Sequence, residues 1–461
     1  MYFQQISTPG LGCFSYAIGC PAAGVMMVVD PRRDTDVYLR AAHENGMRIT
    51  HIFDTHVHAD HISGAQQLRD ETNADIYIHE SAAVTYEAKK LSHDDEFAFG
   101  RVYVRILHTP GHTPDSISLM ISDMARSKEP EIILTGDTLF VGDVGRPDLP
   151  GSDILDEQVE NLFNSLYKVL GLLPDHLEVY PGHGQGSLCG QGISAKPNST
   201  LGYERLANPM LLHGNLESFK KAMMSSLPMR PKSFSGIIRD NMGKIAIIPR
   251  HEDLSEYGLT VENIYELRHS DSSVLDLRDA LSFSAAHIPC SIHVDASNPA
   301  MLNWVGAAIP PGTPLILILP HDKSFAQIRL ELQRIGYDNI NGWLKGGLGA
   351  WLGKGYKTES IPHISVAGLC EQLSEKNPLT LIDVRSPGEF AKIKIEGAVN
   401  LPLGRIFEND IPEGVLNGEF AVICKSGFRA SLAASLLGAQ GYGNSKILSG
   451  GMDAWSVKER S

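Results

Sequence analysis

The run Thr55-His56-Val57-His58-Ala59-Asp60-His61 places three imidazoles and a carboxylate within six residues, directly after the apolar stretch His51-Ile52-Phe53-Asp54. Nitrogen and oxygen donors in such a group are what a transition metal needs. The pattern of an apolar run ending in a His or Asp turn recurs three times. Val104-Arg105-Ile106-Leu107 leads into His108-Thr109-Pro110-Gly111-His112-Thr113, Ile132-Ile133-Leu134 into Thr135-Gly136-Asp137-Thr138, and Glu178-Val179-Tyr180 into Pro181-Gly182-His183. Any one of the chain's 18 histidines reads most simply as a satisfied surface or core residue. The recurrence of the set points to a metal centre.

A second chemistry is written in Cys424-Lys425-Ser426-Gly427-Phe428-Arg429, between an apolar run and an Ala- and Leu-rich stretch. Loop N–H groups, a helix N-terminus and the charges of Lys425 and Arg429 all favour a thiolate, so Cys424 is expected to be reactive. Cys189 follows His183 by six residues, between Gly186 and Gly190. It is expected on an exposed loop near the mouth of the site, either as an auxiliary thiol or as an ordinary cysteine. Cys13, Cys20, Cys290 and Cys370 read as inert, as do His43, His93, His213 and His363. Tyr16 reads as core.

These residues must be held by strands. The four apolar runs are expected to end together at one sheet edge, where α/β sites are built. The segment Leu227-Pro228-Met229-Arg230-Pro231-Lys232-Ser233-Phe234-Ser235-Gly236 reads as a linker or terminal loop. Beyond it the chain repeats. Asp276-Leu277-Arg278 returns as Asp383-Val384-Arg385, Phe283 and Ile288 as Phe390 and Ile395, and Leu344-Lys345-Gly346-Gly347-Leu348-Gly349-Ala350-Trp351 as Leu448-Ser449-Gly450-Gly451-Met452-Asp453-Ala454-Trp455. A spacing of a little over one hundred residues is a duplicated domain rather than a solenoid. Strands at Leu379–Val384 and Phe420–Ile423 and a helix from Arg429 to Leu437 alternate as in a parallel doubly wound sheet. In the first copy Pro320 is expected to replace Cys424, and Phe325 to replace Arg429. That copy should be catalytically dead.

Composition sets the bounds. The chain has 461 residues, 43% hydrophobic and 20% charged, with a net charge of −14. This is a globular chain of about three domains, and its acidity argues against a nucleic-acid partner. No signal peptide or membrane span is expected. Six scattered cysteines without a CxxC fit free thiols in a cytoplasmic protein.

The seven donors His56, His58, Asp60, His61, His112, Asp137 and His183 resemble those of the metallo-β-lactamase superfamily, with a domain expected over residues 1–245. The two copies, residues 255–356 and 362–461, resemble rhodanese domains through Asp-x-Arg, Gly397-Ala398-Val399-Asn400-Leu401-Pro402 and the closing Gly-Gly-x-x-Ala-Trp. These resemblances imply an αββα sandwich followed by two doubly wound α/β rhodanese-like domains, the second active. They also imply that Cys424 carries a persulfide, with Lys425, Arg429, Asp383 and Arg385 as the rest of the catalytic set.

The family offers two ligand schemes. A dizinc thioester hydrolase would use His56, His58, His112 and Asp137 for one metal, and Asp60, His61, His183 and Asp137 for the other. A persulfide dioxygenase would hold one Fe(II) on His56, His112 and Asp137, with His58, Asp60, His61 and His183 in support. Gly145-Arg146-Pro147-Asp148 resembles the dioxygenase branch, where the arginine and aspartate shape the substrate site. The fused sulfurtransferase points the same way, because both reactions handle sulfane sulfur. The expected partners are therefore a low-molecular-weight persulfide, O₂, and sulfite or thiosulfate, in a homo-oligomer. A non-enzymatic sulfur carrier is the third reading; it would not need the metal set.

Overall fold

The computed structural model describes residues 1–190, 192–227, 230–375 and 379–458. The chain divides into two compact units, Met1–His251 with Leu332–Gly336, and Glu252–Glu331 with Tyr337–Ser461.

In the first unit, two six-stranded sheets form among the described residues. One runs in chain order from Tyr2–Thr8 to Lys89–Leu91, and the other from Glu96–Phe99 to Ser199–Thr200. Their inner faces bury Ile18, Phe53, Val104, Ile106, Leu119 and Leu134 as one core. The outer face of the first sheet packs Met26, Val28 and Ile52 against Tyr38 and Leu68, from helices Asp36–Glu44 and Ala65–Thr72. The outer face of the second packs Ile133 and Val179 against Leu162 and Phe219, from helices Leu155–Asn164 and Leu216–Ser226. Strands buried on both faces read as apolar runs, as Ile132–Gly136 does. The result is the αββα sandwich.

The strand ends do not share one sheet, as the sequence suggested. Arg48–Phe53 belongs to the first sheet, whereas Val102–His108, Ile132–Gly136 and Glu178–Pro181 belong to the second. Twist and packing bring the two edges together; apolar periodicity carries no information about that pairing. The expected linker is also revised. Residues Ser233–Met242 form a helix whose Phe234 packs with Ala59 and Leu149 in a small core of the first unit. Pro228 and Met229, also assigned to the linker, lie outside the described residues.

The second unit holds two five-stranded sheets of one design among the described residues. The first runs Gly258–Leu259, Ile340–Leu344, Leu315–Ile318, Ser273–Asp276 and Ile292–His293. The second runs His363–Ile364, Ser445–Leu448, Phe420–Ile423, Thr380–Asp383 and Val399–Asn400. Every pairing in both is parallel. Register corrects one expectation. Asp276 pairs with Ile318 and Asp383 with Ile423, so Leu319, not Pro320, stands at the position of Cys424. Leucine has no nucleophile either, so this position of the first copy still lacks a thiol. Its loop before the helix Phe325–Arg334 is longer than the one before Phe428–Ala439, which hid the shift.

Among the described residues no helix is long and apolar enough to cross a membrane.

Candidate functional site

His56, His112 and Asp137 come from three different strand ends and are all buried, with one donor atom of each within 4.8 Å of the others. Each imidazole is fixed by its Nδ1. His112 Nδ1 lies 2.9 Å from the carbonyl of Arg146, which can only accept. His56 Nδ1 lies 2.9 Å from Thr55 Oγ1, whose own proton goes to Asp30 Oδ2. Both Nδ1 atoms therefore donate, and both Nε2 atoms keep a lone pair. His112 Nε2 and Asp137 Oδ2 are buried without hydrogen-bond partners, 3.4 Å apart. Orphaned buried acceptors of this kind are costly unless something binds them. Two imidazole lone pairs and a carboxylate oxygen fit a divalent transition metal.

The remaining donors are engaged differently. His183 lies between two carboxylates, Nδ1 at 2.7 Å from Asp137 Oδ1 and Nε2 at 2.7 Å from Asp60 Oδ2. Burial opposes its protonation, but Asp137 and Asp60 push its pKa well above the ordinary histidine value. Asp60 also meets His61 Nδ1 at 3.0 Å and accepts from Cys13 Sγ at 3.3 Å. Burial and the Asp60 charge push the Cys13 thiol up to about 12. Cys13, Asp60, His61 and His183 thus form a second buried donor cluster. His58 turns away to a third group with Asp30 and Asp54, its Nε2 3.2 Å from Asp30 Oδ1. Burial disfavours its charge, yet these carboxylates lift its pKa to about 9.

In the second unit, Cys424 is buried at the end of Phe420–Ile423 and Gly427 donates its N–H to Sγ at 3.0 Å. The Gly-Gly-x-x-Ala-Trp motif explains the shape of this loop. The N–H groups of Met452 and Asp453, at the start of helix Gly451–Lys458, bind the carbonyls of Cys424 and Lys425 at 2.9 Å each. Gly451 has φ +57°, and a Cβ there would lie 2.4 Å from the Cys424 oxygen, so only glycine allows the approach. Arg429 forms a double hydrogen bond with Glu389 at 2.7 and 2.7 Å. That contact holds the Glu389 carboxyl down at about 2. Lys425 is exposed.

Residues 9–183 match the model described as Metallo-beta-lactamase superfamily, and residues 260–354 and 366–458 match Rhodanese-like domain. A solved metallo-beta-lactamase from Staphylococcus aureus is 31% identical, with a TM-score of 0.68, over 75% of this chain and 98% of that one. The chain belongs to the metallo-beta-lactamase superfamily. It carries two rhodanese-like domains in addition. The hydroxyacylglutathione hydrolase of Nitrosococcus oceani is 32% identical over 37% of this chain, and the match spans 61% of that protein's length. The structure of ETHE1 from Myxococcus xanthus is 30% identical over 52% of this chain and 98% of that one, with a TM-score of 0.46.

Within this superfamily member, several residues sit otherwise than the sequence suggested. Cys189 is 1% exposed rather than on an open loop, and with Asp137 and His183 it forms a further cluster of donors within 4.8 Å. Burial pushes its thiol well up. Cys13, read as inert, belongs to the centre. Arg146 is 2% exposed and holds Asp148 through Nε at 2.7 Å and Nη2 at 2.8 Å. The pair thus stiffens the turn whose carbonyl orients His112. Asp383 and Arg385 are buried against each other, with Arg385 Nη2 also donating to the Ile393 carbonyl at 2.7 Å. These bonds brace the strand end that leads into the loop. Tyr16 is core, as expected, its hydroxyl donating to the Pro181 carbonyl. Asn241 had no signal in the sequence: its amide donates to the carbonyls of His58 and His61 at 2.9 and 2.8 Å, clamping the histidine-rich loop.

Proposed function

We propose that this chain is a mononuclear iron persulfide dioxygenase joined to a sulfurtransferase. His56, His112 and Asp137 would hold Fe(II), leaving open positions, in the manner of non-haem iron oxygenases. When bound, that metal supplies the activation of O₂. The observation that supports one metal rather than two is the saturation of His183: both its nitrogens face carboxylates at 2.7 Å, while His112 Nε2 and Asp137 Oδ2 are buried without partners. His58, with its own carboxylates, has left the first cluster.

The reaction takes a low-molecular-weight persulfide, O₂ and water to a thiol, sulfite and two protons. Cys424 handles the same sulfane sulfur. As a persulfide it gives its outer sulfur to sulfite; the S–S bond breaks, its electron pair returns to the Cys424 thiolate, and thiosulfate leaves. The Gly427 N–H is placed to stabilise negative charge on that sulfur.

A second reading has its own support. Cys13, Asp60, His61 and His183 are four donors within 4.8 Å, and a matched relative carries the name hydroxyacylglutathione hydrolase. A dizinc thioester hydrolase would use Asp60, His61 and His183 of this group, with Asp137, for its second metal. Metal analysis separates the two readings, at about one iron per chain against about two zinc. Asp137→Ala is expected to abolish iron binding and persulfide-dependent O₂ uptake. A variant with full oxygen consumption would overturn the assignment.

A further inference from the structure

The first rhodanese-like copy has no thiol at the active position, yet it reaches the helix that follows the active loop of the second. One matched position carries different residues that make the same kind of tie. Asn400 in the second copy donates its amide to the carbonyls of Asp383 and Arg385 at 2.9 Å each. At the offset that relates Ile288 to Ile395, the first copy has His293 instead. His293 keeps the internal tie: Nε2 lies 2.9 Å from the Arg278 carbonyl, and Arg278 matches Arg385. A carbonyl only accepts, so Nε2 carries the proton and Nδ1 carries a lone pair. That lone pair meets Ser431 Oγ at 2.9 Å. The His293 backbone N–H meets Ser435 Oγ at 3.0 Å. Both serines lie on the helix Phe428–Ala439, and His293 and Ser431 are each 0% exposed.

The connection continues to sulfur. Ser431 N–H binds the Gly427 carbonyl at 3.0 Å, and Gly427 N–H binds Cys424 Sγ at 3.0 Å. Trp304 of the first copy also approaches the ring of Phe428, at 6.0 Å between centroids. Asparagine could make the internal tie, as Asn400 does, but it has no second ring nitrogen to reach Ser431.

We propose that His293 is a positioning residue for Cys424. The thiol-less first copy sets the first turn of the helix that fixes Gly427 against the sulfur. This rests on the reading of Cys424 as a sulfur-transfer thiol.

The test uses the full chain. His293→Asn installs the second copy's own residue, preserving the tie to Arg278 and removing the reach to Ser431. Two rates are read: sulfur uptake by Cys424 from thiosulfate, and alkylation of sulfur-free Cys424 by iodoacetamide, located by peptide mass. His293→Asn and Ser431→Ala should each slow both rates roughly 5- to 10-fold, the effect of losing one buried hydrogen bond. The double variant should be no slower than either single, because both remove one contact. The thermal midpoint of His293→Asn should fall modestly with the lost buried hydrogen bond, so both rates are read well below it. Wild-type rates in His293→Asn, or a fall only in thermal midpoint, would overturn the proposal. If wild-type protein takes up no sulfur while His293→Asn still slows alkylation, the sulfurtransferase reading fails and the positioning role stands.

Discussion

Gly145 offers a sharp test of how closely the candidate metal centre is built. A Cβ at this position would lie 1.9 Å from the Asp137 carbonyl oxygen and 3.0 Å from His112 Nδ1. Real Cβ contacts essentially never fall under 3.0 Å, so Gly145→Ala demands a movement of about 1 Å merely to reach that limit and about 1.5 Å to reach ordinary contact. The obstruction is backbone, and no side-chain rotamer relieves it. Its φ lies outside the left-handed region, so crowding alone is tested. Overpacking of this kind destabilises by roughly 1–3 kcal/mol, a fall of about 2–12 °C in the thermal midpoint of a unit this size. The centre should suffer more than the fold. The two residues that must yield are two of the three proposed ligands, and a misplacement of about 1 Å can reduce rate roughly 100-fold. Metal content by mass spectrometry, persulfide-dependent O₂ uptake and thermal unfolding are measured together. Gly214→Ala is the control, since a Cβ there meets nothing within 4 Å. Gly145→Ala protein with wild-type metal content and O₂ uptake would refute this account of the site.

Asn241→Ala removes both ties to the histidine-rich loop and should destabilise the first unit by about 1–3 kcal/mol, with faster metal loss to a chelator. Cys424→Ser should remove sulfur transfer, seen as no added sulfur by mass spectrometry, while iron-dependent O₂ uptake persists. Glu389 is held at about 2, chiefly by its hydrogen bonds to Arg429. A carboxyl lowered in the folded state contributes stability that is fully present above its ordinary value and is lost as pH falls through the folded value. Wild type and Glu389→Gln should therefore converge in thermal midpoint between about pH 4.5 and pH 2, and differ above that window. A constant difference across it would remove the pair from the acid response.

The sequence alone determined the local elements and the donor inventory. Apolar runs before His56, His112, Asp137 and His183 specify strands ending in polar turns, because side-chain burial is written directly into hydropathy. The duplication was legible because residues such as Asp383, Gly451 and Trp455 recur in order with their counterparts in the first copy. Tertiary structure alone decided which donors meet. Tautomers of His56 and His112 depend on Thr55 and on the Arg146 carbonyl, the latter 34 residues from His112. Cys13 and Cys189 enter the centre because a strand start and a buried loop pass His183, and nothing around either cysteine in the sequence announces it. The Leu319 register, like the clamps from Asn241 and His293, follows from hydrogen bonds between segments far apart in the chain. Sequence encodes what each residue prefers to bury or expose; partnership is settled only when distant elements pack and each buried polar group must find its neighbour.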